Sequence, residues 1–246
     1  MKRVFWLTPA IVGATPLFAQ QPGPLLGASL SAGKGAAAIS APMQIVILLT
    51  FLTLLPAALM CITPFLRISI VLHFLRQALG TQSAPSNQVL IGLALFLSLL
   101  IMQPVATDIY QNAWQPFDQG KVTMQEATAK GSESLQKYLL HFCRDKDLQL
   151  FVNVTHTPAP HTPKDLKLQI VIPAYILSEL KASFQIGTVL FLPFLVIDLV
   201  IASVTLSMGM VQLPPVMLSA PFKILLFVLA DGWNLVVGSL LKGFYS

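Results

Sequence analysis

Three charged residues interrupt the two apolar stretches that lie between Phe184 and Leu241. Asp198 lies in the first stretch, and Lys223 and Asp231 lie in the second. An ionisable side chain at membrane depth costs roughly 2.5–3.5 kcal/mol, so it normally faces a partner charge or a water-filled path. The chemistry expected of these residues is therefore ion pairing or the lining of a hydrophilic passage, which a simple membrane anchor would not need.

The spacing of Asp198 and Lys223 leaves two interpretations open. The residues lie about nine positions before and about eight positions after a turn, so at 1.5 Å per residue they can reach the same depth on antiparallel helices. They then form either contacts and a path between subunits, or an ion pair within one chain that fixes the register of the hairpin. Glu179, Lys181 and Asp231 are predicted to make contacts of the same two kinds.

The turn itself carries the segment Met208-Gly209-Met210. Methionine is flexible and polarizable, and it packs against partners of varied shape. A ring of such side chains could close a pore against ions and still yield to a passing polypeptide. Ordinary packing against lipid or against a protein core is the alternative interpretation of Met208 and Met210.

The motifs that would indicate catalysis are missing from the sequence, which has no glycine-rich phosphate loop, HExxH, CxxC or GxSxG segment. His156 and His161 lie in a proline-rich loop with few other ligand types nearby. The sequence therefore predicts no enzyme activity, no metal site and no cofactor.

Composition indicates an integral membrane protein. Of the 246 residues, 55% are hydrophobic and only 10% are charged, whereas soluble domains carry about 25% charged residues. The formal charge of +5 comes from scattered cations without the basic run that tracks phosphates, so nucleic acid is not an expected partner. The fold class expected is all-α, built from kinked apolar hairpins in the membrane.

Five segments are predicted along the chain. Residues 1–19 have the basic start, short apolar run and small-residue cleavage site of a signal peptide. Residues 20–42 are a flexible exported linker rich in Gly, Ala, Pro and Ser. Residues 43–105 form a first apolar helical hairpin, 106–169 a polar and mostly helical extracytoplasmic region, and 170–246 a second apolar hairpin that contains the Met-Gly-Met loop.

Local signals refine these segments. Pro56 and Pro64 are expected to kink or break the first helix, and Gly80 fits the end of an amphipathic helix. Arg67 and Arg76, on that helix, are predicted to lie on the cytoplasmic side. Thr123 and Glu126 predict a capping box that opens a helix running to about Arg144, and Pro173 predicts a helix start.

Ten ordered blocks of the sequence resemble the FliP family, core membrane proteins of the flagellar type III export apparatus. They are FLRI (65–68), LRQALGTQ (75–82), PSNQVLIGLALFL (85–97), IPA (172–174), ILSELK (176–181), FQIG (184–187), PFLVIDLV (193–200), SMGM (207–210), PFK (221–223) and DGW (231–233). The match extends from Met43 to the C-terminus apart from sections of the polar region. The signal sequence resembles the flagellar branch more than the virulence-injectisome branch.

The resemblance implies a homo-oligomer, expected to be a pentamer, that joins FliQ and FliR and then FlhB and FlhA in a helical export-gate complex. This gate would pass unfolded flagellar proteins across the bacterial inner (cell) membrane at the flagellar basal body. The methionine loop of the family forms a gasket in the pore, which gives that role to Met208, Gly209 and Met210. Val211 and Gln212 stand where relatives often carry further methionines.

Two other functions are kept as alternatives. One is the virulence-injectisome counterpart of the same subunit. The other is a small-solute or proton transporter that uses Asp198 and Asp231 as relay carboxylates, and transport by the chain alone would favour it.

Overall fold

The structure is a computed structural model that describes residues 41–81, 83–155, 165–210 and 214–245. Within these ranges it is all helical, without a β-strand. The predicted signal peptide and most of the predicted linker lie outside the described residues. The chain divides into two units, residues 1–47 and 48–246; of the first unit, only the opening residues of a helix are described.

Nine α-helices and one π-helical turn follow each other along the described chain. They are α1 (Ala41–Ile62), α2 (Phe65–Ala78), α3 (Asn87–Ile109), the π-helical turn (Tyr110–Trp114), α4 (Gln115–Asp118), α5 (Met124–Phe142), α6 (Asp145–Val154), α7 (Leu168–Ser207), α8 (Pro215–Leu229) and α9 (Gly232–Tyr245).

Proline and glycine divide the first apolar region. Pro64 separates α1 from α2, as predicted, whereas α1 continues through Pro56. Gly80, with φ of 74°, follows the C-cap of α2, which confirms the predicted helix end. Ser86 begins α3 by accepting a hydrogen bond from the Val89 N–H. Three helices therefore occupy the region predicted as one hairpin.

Helix continues from α3 through the π-helical turn and α4 to Asp118, inside the predicted polar and mostly helical region 106–169; the bounds of that region stay a prediction. The capping box at Thr123 and Glu126 is confirmed, with hydrogen bonds in both directions at the start of α5. The helix ends at Phe142, close to the predicted end. A separate helix, α6, was not predicted; it begins after Cys143 and Arg144, which both have extended backbone.

The longest helix is α7, with 40 residues. The prediction that Pro173 starts a helix is wrong, because α7 begins at Leu168 and Pro173 lies inside it. Burial of Val171, Ala174 and Tyr175 on either side of this proline supplies packing that offsets the lost backbone hydrogen bond.

Two clusters of buried side chains hold the helices together. The first joins α2, α3, α7, α8 and α9 around Ile68, Leu72 and Phe227. The second joins α5, α6 and the first turns of α7 around Leu139, Val171 and Tyr175. On α5, Leu139 belongs to the second cluster, and Leu135, Tyr138 and Phe142 on the same face pack against it. This division gives the membrane-like helices and the polar region a core each.

Three of the described helical segments are long and apolar enough to cross a membrane: Pro42–Ile62, Asn87–Asp118 and Leu168–Ser207. The pair α8 and α9 meets the same test as one span bent by 65°. The all-α membrane class predicted from composition is confirmed. Assembly with other subunits stays a prediction.

Candidate functional site

The candidate site is the hairpin of α7 and α8 with the loop at its tip. A Schellman motif ends α7: the Gly209 N–H donates to the Leu206 carbonyl at 3.0 Å, and the Met210 N–H donates to the Thr205 carbonyl at 3.0 Å. Gly209 adopts φ of 76°, the left-handed conformation that this motif requires and that glycine adopts without steric cost. The end of α7, as far as Met210, is therefore fixed by backbone geometry.

The two methionines at the end of α7 are exposed. Met208 is 67% exposed and Met210 is 42% exposed. The space beside the Gly209 Cα is open, with no atom within 4 Å of the position that a Cβ would take. Val211 and Gln212, which the family resemblance singles out, lie outside the described residues. The structure thus has two exposed methionines, whose side chains are intrinsically flexible, beside a turn of defined geometry at Gly209.

A polar latch joins the two helices below the loop. Asp198 accepts hydrogen bonds from the Lys223 Nζ at 2.6 Å and from the Ser219 hydroxyl at 2.5 Å, each on a different carboxylate oxygen. Ser219 is 0% exposed and Lys223 is 1% exposed. Of the two interpretations left open by the sequence, the geometry matches the ion pair within one chain. We call Asp198, Ser219 and Lys223 the hairpin latch.

Asp231 takes no part in this latch. It lies exposed at the bend between α8 and α9, where its carboxylate accepts a hydrogen bond from the Asn234 side-chain amide at 3.0 Å. Its φ of 50° makes it the one non-glycine residue with positive φ among the described residues. The structure gives Asp231 a role in the turn, and any contact between subunits stays a prediction.

A second buried ion pair joins α2 to α7. Arg67 donates to Glu179 through Nε at 2.7 Å and also through Nη2, which makes the pair bidentate. Glu179 is 0% exposed and Arg67 is 9% exposed. Arg67 lies in the protein interior, and its predicted position on the cytoplasmic side of the membrane stays a prediction.

The remaining predicted charges lie on the surface or near it. Arg76 is half-buried and donates to the side-chain oxygen of Asn87 and to the Pro85 carbonyl, which ties α2 to the start of α3. Lys181 is exposed on α7. The structure therefore unites Asp198 with Lys223 and Glu179 with Arg67, and it leaves Lys181 and Asp231 outside both pairs.

A third polar cluster fastens α6 to α7. Ser178 donates to Asp147 at 2.6 Å and accepts a hydrogen bond from the Arg144 backbone N–H at 3.0 Å. The Arg144 guanidinium donates to the same carboxylate at 2.6 Å. Burial acts to raise the pKa of Asp147, but the hydrogen bonds from Ser178 and Arg144 and the charge of Arg144 outweigh it and hold that pKa below its usual value.

Sequence reasoning missed Arg67–Glu179 as a pair, together with Ser219, Ser178 and Asp147. One signal was available for Ser219, because it lies four residues before Lys223 and so shares its helix face. No local pattern links Arg67 to Glu179. His156 and His161 lie outside the described residues, and among the described residues no group of three or more His, Cys, Asp or Glu side chains could hold a metal ion.

Comparison with known proteins assigns the chain to a family. It is 43% identical over 243 residues to the flagellar biosynthetic protein FliP of Pectobacterium carotovorum, covering 99% of this chain and 91% of that protein. The FliP of Bacillus subtilis is 49% identical over 206 residues, 84% of this chain and 93% of that protein. The FliP of Buchnera aphidicola from Acyrthosiphon pisum is 49% identical over 205 residues, which cover 83% of this chain and 54% of that longer protein. A sequence model described as the FliP family matches residues 48–240, and with these identities the chain belongs to the FliP family.

Proposed function

We propose that this chain is a pore-forming structural subunit of the flagellar type III protein export gate. In this role it passes unfolded flagellar proteins across the bacterial inner membrane, at the flagellar basal body, and carries out no catalysis. Its relatives, flagellar biosynthetic proteins FliP, support the flagellar assignment. The partners proposed are further copies of the chain, expected to form a pentamer, with FliQ and FliR and then FlhB and FlhA.

The observation that carries this proposal is the exposed methionine tip on the latched hairpin. Apolar side chains exposed to water at a turn do not stabilise the fold. Exposed apolar patches commonly mark surfaces that bind other molecules. Several copies of the chain that bring these tips together would form a narrow apolar constriction. Flexible thioether side chains can seal such a constriction and still part around a polypeptide of variable sequence.

The transporter alternative has less support from the same contacts. A relay carboxylate needs to take up and release protons, whereas both oxygens of Asp198 are held by Lys223 and Ser219. Asp231 is exposed and bound to a neighbouring side chain in its own turn. The injectisome counterpart would use the same geometry, so the geometry does not separate the two branches. The relatives are flagellar proteins, which favours the flagellar branch.

The loop is tested by Met208→Ala with Met210→Ala in cells that hold the complete export apparatus. We expect ion leakage across the inner membrane to rise while export of flagellar proteins continues. The shorter side chains would widen the constriction, and the channel itself would remain. Membrane potential and secreted flagellar protein are measured together. Met217→Ala is the matched control, since Met217 is a 73% exposed methionine on α8 outside the loop. An unchanged leak, or an equal leak in the control, would contradict the gasket.

A further inference from the structure

Two grooves adjoin on the surface between α3 and α5. The first, which we call the apolar groove, has a volume of about 770 Å³ and is mostly apolar. The second, which we call the polar groove, has a volume of about 460 Å³, and its lining consists of polar or charged residues apart from Leu140. Four residues line both grooves: Asp108, Ser134, Lys137 and Leu140. The two grooves therefore make one cleft with an apolar section and a polar section.

Aromatic and aliphatic side chains line the apolar groove. Phe142 of α5 and Phe244 of α9 both line it and pack against each other with ring centroids 5.2 Å apart. Ile101, Pro104 and Val105 line it from α3. At membrane depth such a surface packs against hydrocarbon through many van der Waals contacts, each of them weak. The apolar groove is therefore suited to an acyl chain.

Charges of both signs line the polar groove. Lys130 and Lys137 are exposed on α5, and no ion pair of the described residues includes either lysine. Asp108 and Glu133 add two exposed carboxylates. Asp108 accepts a hydrogen bond from the Asn112 side-chain amide through Oδ1 at 2.6 Å, and its Oδ2 can accept a further one. This lining is complementary to a group that has one negative and one positive charge.

The position of the cleft along α3 indicates what kind of molecule binds there. From Asn87 to Thr107 the helix has no charged residue, and this stretch is about 30 Å long, the thickness of the hydrocarbon core of a bilayer. The apolar groove lies beside the last turns of the stretch, and the polar groove lies beside Asp108 and Asn112, just beyond it. The lining thus changes from apolar to polar at the depth where a phospholipid changes from acyl chain to headgroup.

From this coincidence we propose that the cleft binds one aminophospholipid, with phosphatidylethanolamine as the type. An acyl chain lies in the apolar groove against Phe142 and Phe244. Lys137 donates to the phosphate, as basic residues between membrane helices do for other lipid headgroups, and Asp108 accepts from the headgroup ammonium. Lys137 and Asp108 line both grooves, so they lie where the headgroup meets the chains. The site is a property of the single chain and does not depend on the function proposed above.

Lipid binding to the purified full chain in detergent tests the site. Phosphatidylethanolamine and phosphatidylcholine with identical acyl chains are titrated, and bound lipid is measured by native mass spectrometry. Only the ethanolamine headgroup has N–H donors for Asp108, so we expect the wild type to bind it about tenfold more tightly, as for one charge-assisted hydrogen bond. The variant Val105→Trp fills the apolar groove and should weaken binding of both lipids by about tenfold.

Two variants at exposed positions separate the headgroup contacts. Lys137→Gln should weaken binding of both lipids by about tenfold, since both have the phosphate. Asp108→Asn should remove most of the preference for phosphatidylethanolamine and leave binding of phosphatidylcholine unchanged. Lys146→Gln is the matched control, because Lys146 is an exposed lysine on α6 that lines neither groove. Equal binding of the two lipids by the wild type, or equal effects of Lys137→Gln and Lys146→Gln, would overturn the proposal.

Discussion

The two halves of α7 are both mostly apolar but differ in what surrounds them. From Ile170 to Gly187 the helix buries eight residues against α2, α5 and α6, whereas from Thr188 to Ser207 only Phe194 and Thr205 are buried. With 40 residues the helix is about 60 Å long, roughly twice the hydrocarbon core of a bilayer. The helix can thus serve as protein core over its first half and as a membrane or subunit surface over its second.

Each half carries one acidic residue with a basic partner. The acidic residue is buried in the first half and partly exposed in the second. Glu179 and Arg67 are 112 residues apart in sequence and both buried, while Asp198 and Lys223 are 25 apart and the Asp198 side chain is 27% exposed. The first pair joins distant segments of the fold. The second fixes the register of one hairpin, and with it the position of the methionine tip.

Burial decides what each pair contributes. Taking a charge out of water costs several kcal/mol, which a partner at good geometry offsets, so removing one partner from a buried pair is far more costly than the net value of the pair. The bidentate geometry of Arg67 satisfies both oxygens of Glu179. The Asp198 side chain is partly exposed, so loss of its partner Lys223 leaves its charge less isolated and destabilises the protein less.

The largest effect is expected from Arg67→Ala, which leaves Glu179 charged and buried. We expect a loss of about 3–5 kcal/mol in the free energy of unfolding, measured by denaturant titration of the purified chain in detergent. Arg76→Ala is the control, because Arg76 is half-buried and hydrogen-bonded to neutral groups; its loss should be no more than about 1.5 kcal/mol. Replacing both partners with apolar residues of similar volume should recover much of the stability. Equal losses in Arg67→Ala and Arg76→Ala would show that the buried ion pair contributes no more than the hydrogen bonds of a half-buried arginine.

A smaller effect is expected at the hairpin latch. Lys223→Asp removes the hydrogen bond to Asp198 and places two carboxylates together, and we expect it to destabilise the hairpin by about 1.5–3 kcal/mol, the range for hydrogen bonds to charged groups, because partial exposure of Asp198 screens the repulsion. Adding Asp198→Lys restores opposite charges and should partly restore stability and assembly, as judged by unfolding of the chain and by the amount of assembled complex in membranes. Absence of rescue would show that the pair does not act within one hairpin.

These two pairs also show what could be read from the sequence. Asp198 and Lys223 could be paired in advance, because a recognisable turn places them at similar depth on antiparallel helices. The capping box at Thr123 and the break at Pro64 were predictable for the same reason, since each depends on residues within a few positions.

The features that sequence reasoning missed depend on tertiary contacts. Arg67 and Glu179 meet only because α2 packs on α7, and nothing near either residue indicates the other. The break between α5 and α6 depends on Ser178, which accepts the Arg144 N–H from a separate helix. Pro173 suggested a helix start by local preference, and packing against the second core overrode it. In each case a partner more than 30 residues away, or a surrounding core, determined the local structure.

The smallest effect is expected at the third ion pair, Arg144 with Asp147, because its basic side chain is the most exposed of the three. Its side chains are 37% and 11% exposed, so we expect the pair to contribute about 0.5 kcal/mol. The pKa of Asp147 is lower in the folded protein than the value near 3.9 of an unfolded chain. Its contribution is therefore complete above about pH 4 and is lost as pH falls through the folded pKa.

The variant Asp147→Asn isolates this contribution, because the amide oxygen still accepts the Ser178 hydrogen bond but carries no charge. The stability difference between the wild type and the variant, measured by thermal unfolding from pH 6 to pH 3, should shrink as the pH falls. Glu133→Gln serves as the control, since no ion pair of the described residues includes Glu133 and the difference at that position should stay constant. If the Asp147 difference were constant with pH, the contact would depend on the hydrogen bond from Ser178 alone. Charge would then contribute to stability only in the other two ion pairs, Arg67–Glu179 and Asp198–Lys223.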